Sequence, residues 1–83
     1  MTMEDNILNI IETLEEIAED TTVPRNIKIK LQEIVTALKK EDEEISIRKD
    51  KALSLLDEIA EDSNLQAYTR TQIWNVVSAL EIL

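Results

Sequence analysis

Apolar side chains recur along this chain at steps of three and four, the spacing that gathers them on one face of an α-helix. Ile7, Ile10, Ile11, Leu14, Ile17 and Ala18 form the first stripe and predict a helix from about residue 4 to residue 20. Asp20-Thr21-Thr22-Val23-Pro24 then breaks the pattern. Thr22 reads as an N-cap and Pro24 as a first-turn residue, where its missing N–H would be unpaired in any case. Ile27, Leu31, Ile34, Val35 and Leu38 make the second stripe, which ends near Lys39 and Lys40; cations there suit the negative end of a helix dipole. Glu41-Asp42-Glu43-Glu44 is the next connection. Ile45, Ala52, Leu56, Ile59 and Ala60 line a third helix, broadened by Leu53 and Leu55. Ser63 or Asn64 reads as the cap of a fourth, carrying Ile73, Val76, Val77 and Leu80. Well over three-quarters of the chain is expected to be helical, and no alternating strand pattern competes.

The stripes are copies of one another. LEEIAEDTTVPRNIKIKLQEIVTAL at residues 14–38 recurs, imperfectly but without a gap, as LDEIAEDSNLQAYTRTQIWNVVSAL at residues 56–80. Self-similarity at such a period marks a doubled helix–turn–helix unit. Four helices joined by short links, each antiparallel to the last, give an all-α, four-helix up-and-down bundle built from two similar hairpins, about 4–40 and 44–83. A stacked solenoid fragment is the rival arrangement, but solenoids need three or more repeats with caps, and only two are present.

Composition narrows the chemistry. Eighty-three residues correspond to one domain, 1–83, with a core of modest size. There is no cysteine, hence no disulfide or thiolate, and no histidine, the commonest metal ligand and the side chain that titrates nearest neutrality. There is no glycine either, so phosphate-cradling glycine loops are excluded. Eighteen acids against nine bases give a net charge of −9, which argues against nucleic acid and against an anionic membrane surface. Nothing reads as a membrane span or a signal peptide, and a cytoplasmic location is expected. No cofactor is expected.

Two acidic clusters, Glu15-Glu16-Glu19-Asp20 and Asp57-Glu58-Glu61-Asp62, are the sharpest candidates for chemistry. Glu16 and Asp20, like Glu58 and Asp62, stand four apart on one helical face, and paired carboxylates could hold a hard cation or share acid and base roles. Di-metal bundles, however, add histidine on inward faces, and here Ile17 and Ala18 take the inner face. The plainer reading is a solvated surface. Acids at a helix C-terminus oppose the dipole, so a nearby cation is expected. Lys28 and Arg70, at matching positions, and Arg25 are the candidates for structural ion pairs with Glu16, Asp20, Glu58 and Asp62.

The aromatics Tyr68 and Trp74 flank Arg70, which lies four residues before the indole and can cover it. These are residue types enriched at binding hot spots. Ile29, Ile47 and Ile82 fall off the inner stripes, with Trp74 at the flank. Burial against a second copy is the expected reason, and Ile29, Ile47, Tyr68, Arg70, Trp74 and Ile82 are the candidate interface residues.

Val23-Pro24-Arg25-Asn26 and Tyr68-Thr69-Arg70-Thr71-Gln72-Ile73-Trp74, with the Glu-Ile-Ala-Glu-Asp helix ends before them, resemble the archaeal uncharacterised protein family 0147 over nearly the whole chain. The resemblance implies a small four-helix bundle of bromodomain-like arrangement in archaeal cytoplasm, with no assigned activity. Relatives often place a proline where this chain has Gln66. Taken together, the expectation is a non-catalytic interaction or assembly module that self-associates as a dimer or dimer of dimers, with an unidentified protein partner a further expectation. The alternatives are a carboxylate-based divalent-metal binder or enzyme, and an acidic mimic that occupies a basic site on a partner protein.

Overall fold

The computed structural model describes residues 2–83 and contains four α-helices: α1 (Met3–Glu19), α2 (Arg25–Leu38), α3 (Ile45–Ala60) and α4 (Ala67–Glu81). They comprise 75% of the chain, just short of the expected share because each connection takes five or six residues. No strand occurs among the described residues.

Each helix packs on its two neighbours. α1 touches α2 and α4, α3 touches α2 and α4, and the diagonal pairs do not meet. The α1–α4 contact closes the ring and distinguishes a bundle from an open stack of hairpins. The body measures 33 × 20 × 20 Å. All five apolar positions predicted for α2 and all four predicted for α4 are buried, as are Ile7, Ile10, Ile11, Leu14 and Ile17 in α1. On α3, Ala52, Leu56, Ile59 and Ala60 are buried, while Ile45, Leu53 and Leu55 pack at the edge of the core. Val23 and Leu65 bring apolar side chains from the connections under the same core.

The helix starts differ from the expectation. α1 begins with a capping box: the Asp5 N–H donates to the Thr2 hydroxyl oxygen at 3.1 Å, and the Thr2 N–H donates to the Asp5 carboxylate at 3.3 Å. The other three helices have no side-chain cap, and their N-cap positions are Pro24, Glu44 and Gln66. Thr22 is therefore not the N-cap of α2, and neither Ser63 nor Asn64 caps α4. Pro24 lies one position before the first turn.

The reason is local. Asp20 accepts from both the N–H and the hydroxyl of Thr22, at 2.8 and 2.7 Å, so that hydroxyl faces back into the turn. Asp62 likewise accepts from the Asn64 N–H at 2.8 Å. These are Asx turns, in which a short side chain stands in for a backbone carbonyl. Each is closed by a further bond, from the Val23 N–H to the Asp20 carbonyl and from the Leu65 N–H to the Asp62 carbonyl. Pro24 and Gln66 then share nearly one extended conformation, with φ of −59° and −66° and ψ of 148° and 149°.

The middle connection repeats this backbone without the sequence. The Glu43 N–H donates to the Lys40 carbonyl, and Glu44 takes φ −62° and ψ 149°. An ion pair from Lys40 to Glu43 at 3.2 Å occupies the place of the Asx bond.

Candidate interaction surface

Helix order decides which charged groups meet. α1 and α3 run the same way, so both acidic clusters arrive at one end of the bundle, with the starts of α2 and α4 between them. Asn26, in the first turn of α2, donates from its side-chain amide to the Asp62 carboxylate at 3.3 Å and ties the two turns together.

The cations near these clusters do not all seek carboxylates. Arg70 donates through Nε to the Ala60 carbonyl at 3.1 Å and through Nη2 to the Asp62 carbonyl at 2.7 Å. It thus satisfies the carbonyl of Ala60, the last residue of α3, and gives the Asp62 carbonyl a second donor beside the Leu65 N–H, the second way in which a cation offsets a helix C-terminus. Glu58 pairs with Lys30 across α2 and α3 at 3.3 Å, not with Lys28 or Arg70. Glu16 and Arg25 enter none of the ion pairs found among the described residues. Asp20 is held below the usual carboxylate range, first by the Thr22 hydroxyl, then by the Thr22 N–H, with a smaller contribution from the charge of Lys28. Glu43 is lowered by its bonds to Lys51 and Lys40.

Arg48 is the residue that sequence reasoning missed. It sits on the inner stripe of α3 between Ile45 and Ala52 and is only 4% exposed. Its Nε donates to the Glu43 carbonyl at 3.0 Å, its Nη1 to the Leu38 carbonyl at 3.2 Å, and its Nη2 meets the Glu4 carboxylate at 3.4 Å. One guanidinium therefore joins the end of α2, the middle connection and the start of α1. A signal was present: a basic residue follows the N-caps of α2, α3 and α4 by four positions, at Lys28, Arg48 and Arg70, where α1 has Asn6. The forty-two-residue repeat hid it, because that shift aligns Arg48 with Asn6.

The exposed large apolar side chains are Leu8, Ile29, Ile47, Tyr68, Trp74 and Ile82. Leu8 had not been anticipated. Arg70, the remaining interface candidate, is part-buried against the end of α3. The others do not form one patch. Ile29 lies on α2, diagonal to the helix that carries Tyr68 and Trp74 and is followed by Ile82, while Ile47 lies on α3. A single two-fold interface cannot take them all.

A shallow groove runs between α1 and α4. One depression of about 200 Å³ is lined by Asn9, Ile10, Thr13, Asn75, Val76 and Ala79. It shares Asn9, Ile10 and Ala79 with a second of about 220 Å³ that reaches Asn6, Ile82 and Leu83. No charged side chain lines either. Both fall below the range of about 300–1,000 Å³ usual for a small-molecule pocket, whereas wider, more open depressions of about 430 Å³ beside Ala37 and Leu55 and about 420 Å³ beside Ile29 lie within it. Among the described residues no three acidic side chains converge as metal ligands would. None of the helices described is long and apolar enough to cross a membrane.

The model of the Uncharacterised protein family (UPF0147) matches residues 1–83. The chain belongs to this family. A UPF0147 protein of Methanocaldococcus jannaschii is 45% identical over 96% of this chain and 86% of its own length. One from Pyrococcus furiosus is 41% identical over 95% and 86%. The crystal structure of the unknown-function protein MMP1188 superposes with a TM-score of 0.94 at 46% identity, covering 99% of this chain and 93% of that one. A crystal structure of a family member from Thermoplasma acidophilum gives a TM-score of 0.91 at 34% identity, covering 96% and 94%. The relatives are archaeal and carry no assigned activity.

Proposed function

We propose that this chain is a non-catalytic helical module of the cytoplasm that works through its surface and self-associates. The observation that carries the reading is the set of large apolar side chains left in water by a core that is already closed. Ile82 is 87% exposed, Tyr68 69% and Trp74 49%. One such residue is ordinary, but several on a small body favour burial against another chain. Buried side-chain polar atoms among the described residues are all hydrogen-bonded, so no unsatisfied polar group points to an internal ligand. Light scattering over a dilution series tests the reading. The expected mass is a multiple of the 9.5 kDa chain that falls towards one copy on dilution. A single-chain mass at every concentration refutes it.

A second reading draws support from α1, which carries Glu4, Asp5, Glu12, Glu15, Glu16 and Glu19 and no base. Such a helix suits an acidic mimic that occupies a basic site on another protein. Salt-sensitive capture of a basic protein, lost when Glu12, Glu15 and Glu19 are neutralised, would favour it.

A further inference from the structure

α4 and its C-cap, Ile82, carry a second stripe on the side away from the core. Tyr68, Thr71, Asn75, Ser78 and Ile82 follow one another at steps of three, four, three and four, and all five are exposed. That is the seam spacing of a coiled coil, with Asn75 at the central position. No charge lies on the stripe. α4 has only Arg70 and Glu81 as charged residues, and Arg70 is engaged with the end of α3. The neighbouring edge of α1 adds Asn6, Asn9 and Thr13, so the uncharged surface continues across the groove.

We infer that this face is a two-fold interface with a second copy of the chain, in which α4 packs antiparallel on α4 about an axis through Asn75. The inference rests on the self-association proposed above and names its surface. Charge selects the occupant. A two-fold interface sets each patch against itself, so α1 would meet α1, acid on acid, and α2 would bring together two faces that carry Arg25, Lys28 and Lys30 with only Glu33 to offset them. On α3, Lys51 is tied to Glu43 and Lys49 donates to the Glu81 carbonyl. The α4 face is where two chains of net charge −9 meet without opposing like charges. A strongly basic partner would be drawn to α1 instead.

Register follows from the spacing. Asn75 is midway between Tyr68 and Ile82, and also midway between Thr71 and Ala79. Antiparallel pairing through Asn75 therefore sets Tyr68 against the other copy's Ile82 and Thr71 against its Ala79. The two largest exposed side chains of the stripe cover each other, and the small ones between them let the axes approach to about 8–10 Å. Asparagine at a central seam position is a device for fixing register and copy number.

The test uses the full chain with Asn75→Glu, Asn75→Lys and, on the outer face of α2, Thr36→Glu. Circular dichroism verifies that each variant remains folded. Light scattering should give a dimer for the unchanged chain and for Thr36→Glu, and a monomer for each Asn75 variant alone. Mixed one to one, the two Asn75 variants should restore the dimer, and native mass spectrometry should show one copy of each, because the axis brings the two side chains together. A dimer that survives Asn75→Glu, or one that Thr36→Glu splits, overturns this interface while leaving self-association standing. Monomers that do not recombine when mixed overturn the axis. A monomeric unchanged chain removes the underlying reading as well.

Discussion

Replacing Arg48 by methionine isolates what a buried guanidinium does in this bundle. Methionine keeps most of the apolar stem and removes the fork of donors, so packing changes little while three attachments vanish. The contact to Glu4 is the least of them. That carboxylate is 55% exposed, and an ion pair of this kind is worth about 0–1 kcal/mol. The two carbonyl bonds matter more. The Leu38 carbonyl is buried with Arg48 as its donor, and the Glu43 carbonyl is part-buried. An acceptor left unsatisfied on burial costs about 1–3 kcal/mol. With a smaller sum for Glu43, Arg48→Met should destabilise by about 2–4 kcal/mol.

Urea unfolding followed by circular dichroism measures this directly, since a lower midpoint with an unchanged slope reports stability alone. At roughly 4–8 °C per kcal/mol for a domain of this size, the melting temperature should drop by at least about 8 °C. Glu4→Gln should lie within about 1 kcal/mol of the unchanged chain. Arg48→Lys should fall between, because a single ammonium cannot reproduce the guanidinium fork across two carbonyls and a carboxylate. If Arg48→Met costs less than about 1 kcal/mol, or if Glu4→Gln costs as much, the carbonyl bonds are not what the arginine contributes.

Three further outcomes follow from the connections and the acids. Gln66→Pro should stabilise by about 0.4–1 kcal/mol, because the native φ of −66° already suits proline and Pro24 holds the same place in the first connection; a loss of stability in thermal melts would contradict this. Asp20 has a folded-state pKa below its unfolded value, so its contribution is present above the unfolded pKa and is lost as pH falls through the folded one. NMR titration should show the Asp20 carboxyl rising towards its ordinary value in Thr22→Ala, and no change there would remove the hydroxyl as the leading cause. Magnesium, calcium or manganese at millimolar concentration should shift the melting temperature no more than sodium chloride of equal ionic strength, since no three acids converge among the described residues; a specific shift abolished by Glu16→Gln or Glu58→Gln would revive a metal site.

The helical stripes were readable because burial here follows one rule, the step of three and four, and little competes with it on a chain without glycine. Ile27, Leu31, Ile34, Val35 and Leu38 all fall inside for that reason. The caps were not readable. Thr22 has a capping side chain, yet a better acceptor two residues earlier claims both its N–H and its hydroxyl. Nor could sequence show what the cations meet. A carboxylate and a backbone carbonyl are both acceptors for arginine, and only geometry places Arg70 on the carbonyls of Ala60 and Asp62. The exposed apolar residues were named largely correctly, since a helical wheel shows which side chains leave the stripe. It does not show which leave towards a common face.

The three connections carry a lesson that the repeat obscures. The first and third share an Asp-led turn as part of the sequence repeat, whereas Lys40-Glu41-Asp42-Glu43-Glu44 has neither Asp at its start nor an apolar residue before its N-cap. Its backbone nevertheless closes the same way, with N-cap angles within a few degrees of the others. The demand comes from the bundle: antiparallel neighbours at a fixed separation admit few short turns. Sequence then chooses how each turn is held. Where aspartate supplies the Asx bond and Val23 or Leu65 anchors the turn in the core, the basic residue four beyond the N-cap remains part-buried. Where both are missing, Lys40 pairs with Glu43, and Arg48 turns fully inward to bind the Glu43 and Leu38 carbonyls. The buried charge is the middle turn's substitute for an apolar anchor. Glu43→Leu, which restores that anchor, should therefore lessen the cost of Arg48→Met in a double-mutant cycle. Strict additivity of the two changes would show that the arginine and the missing anchor are unrelated.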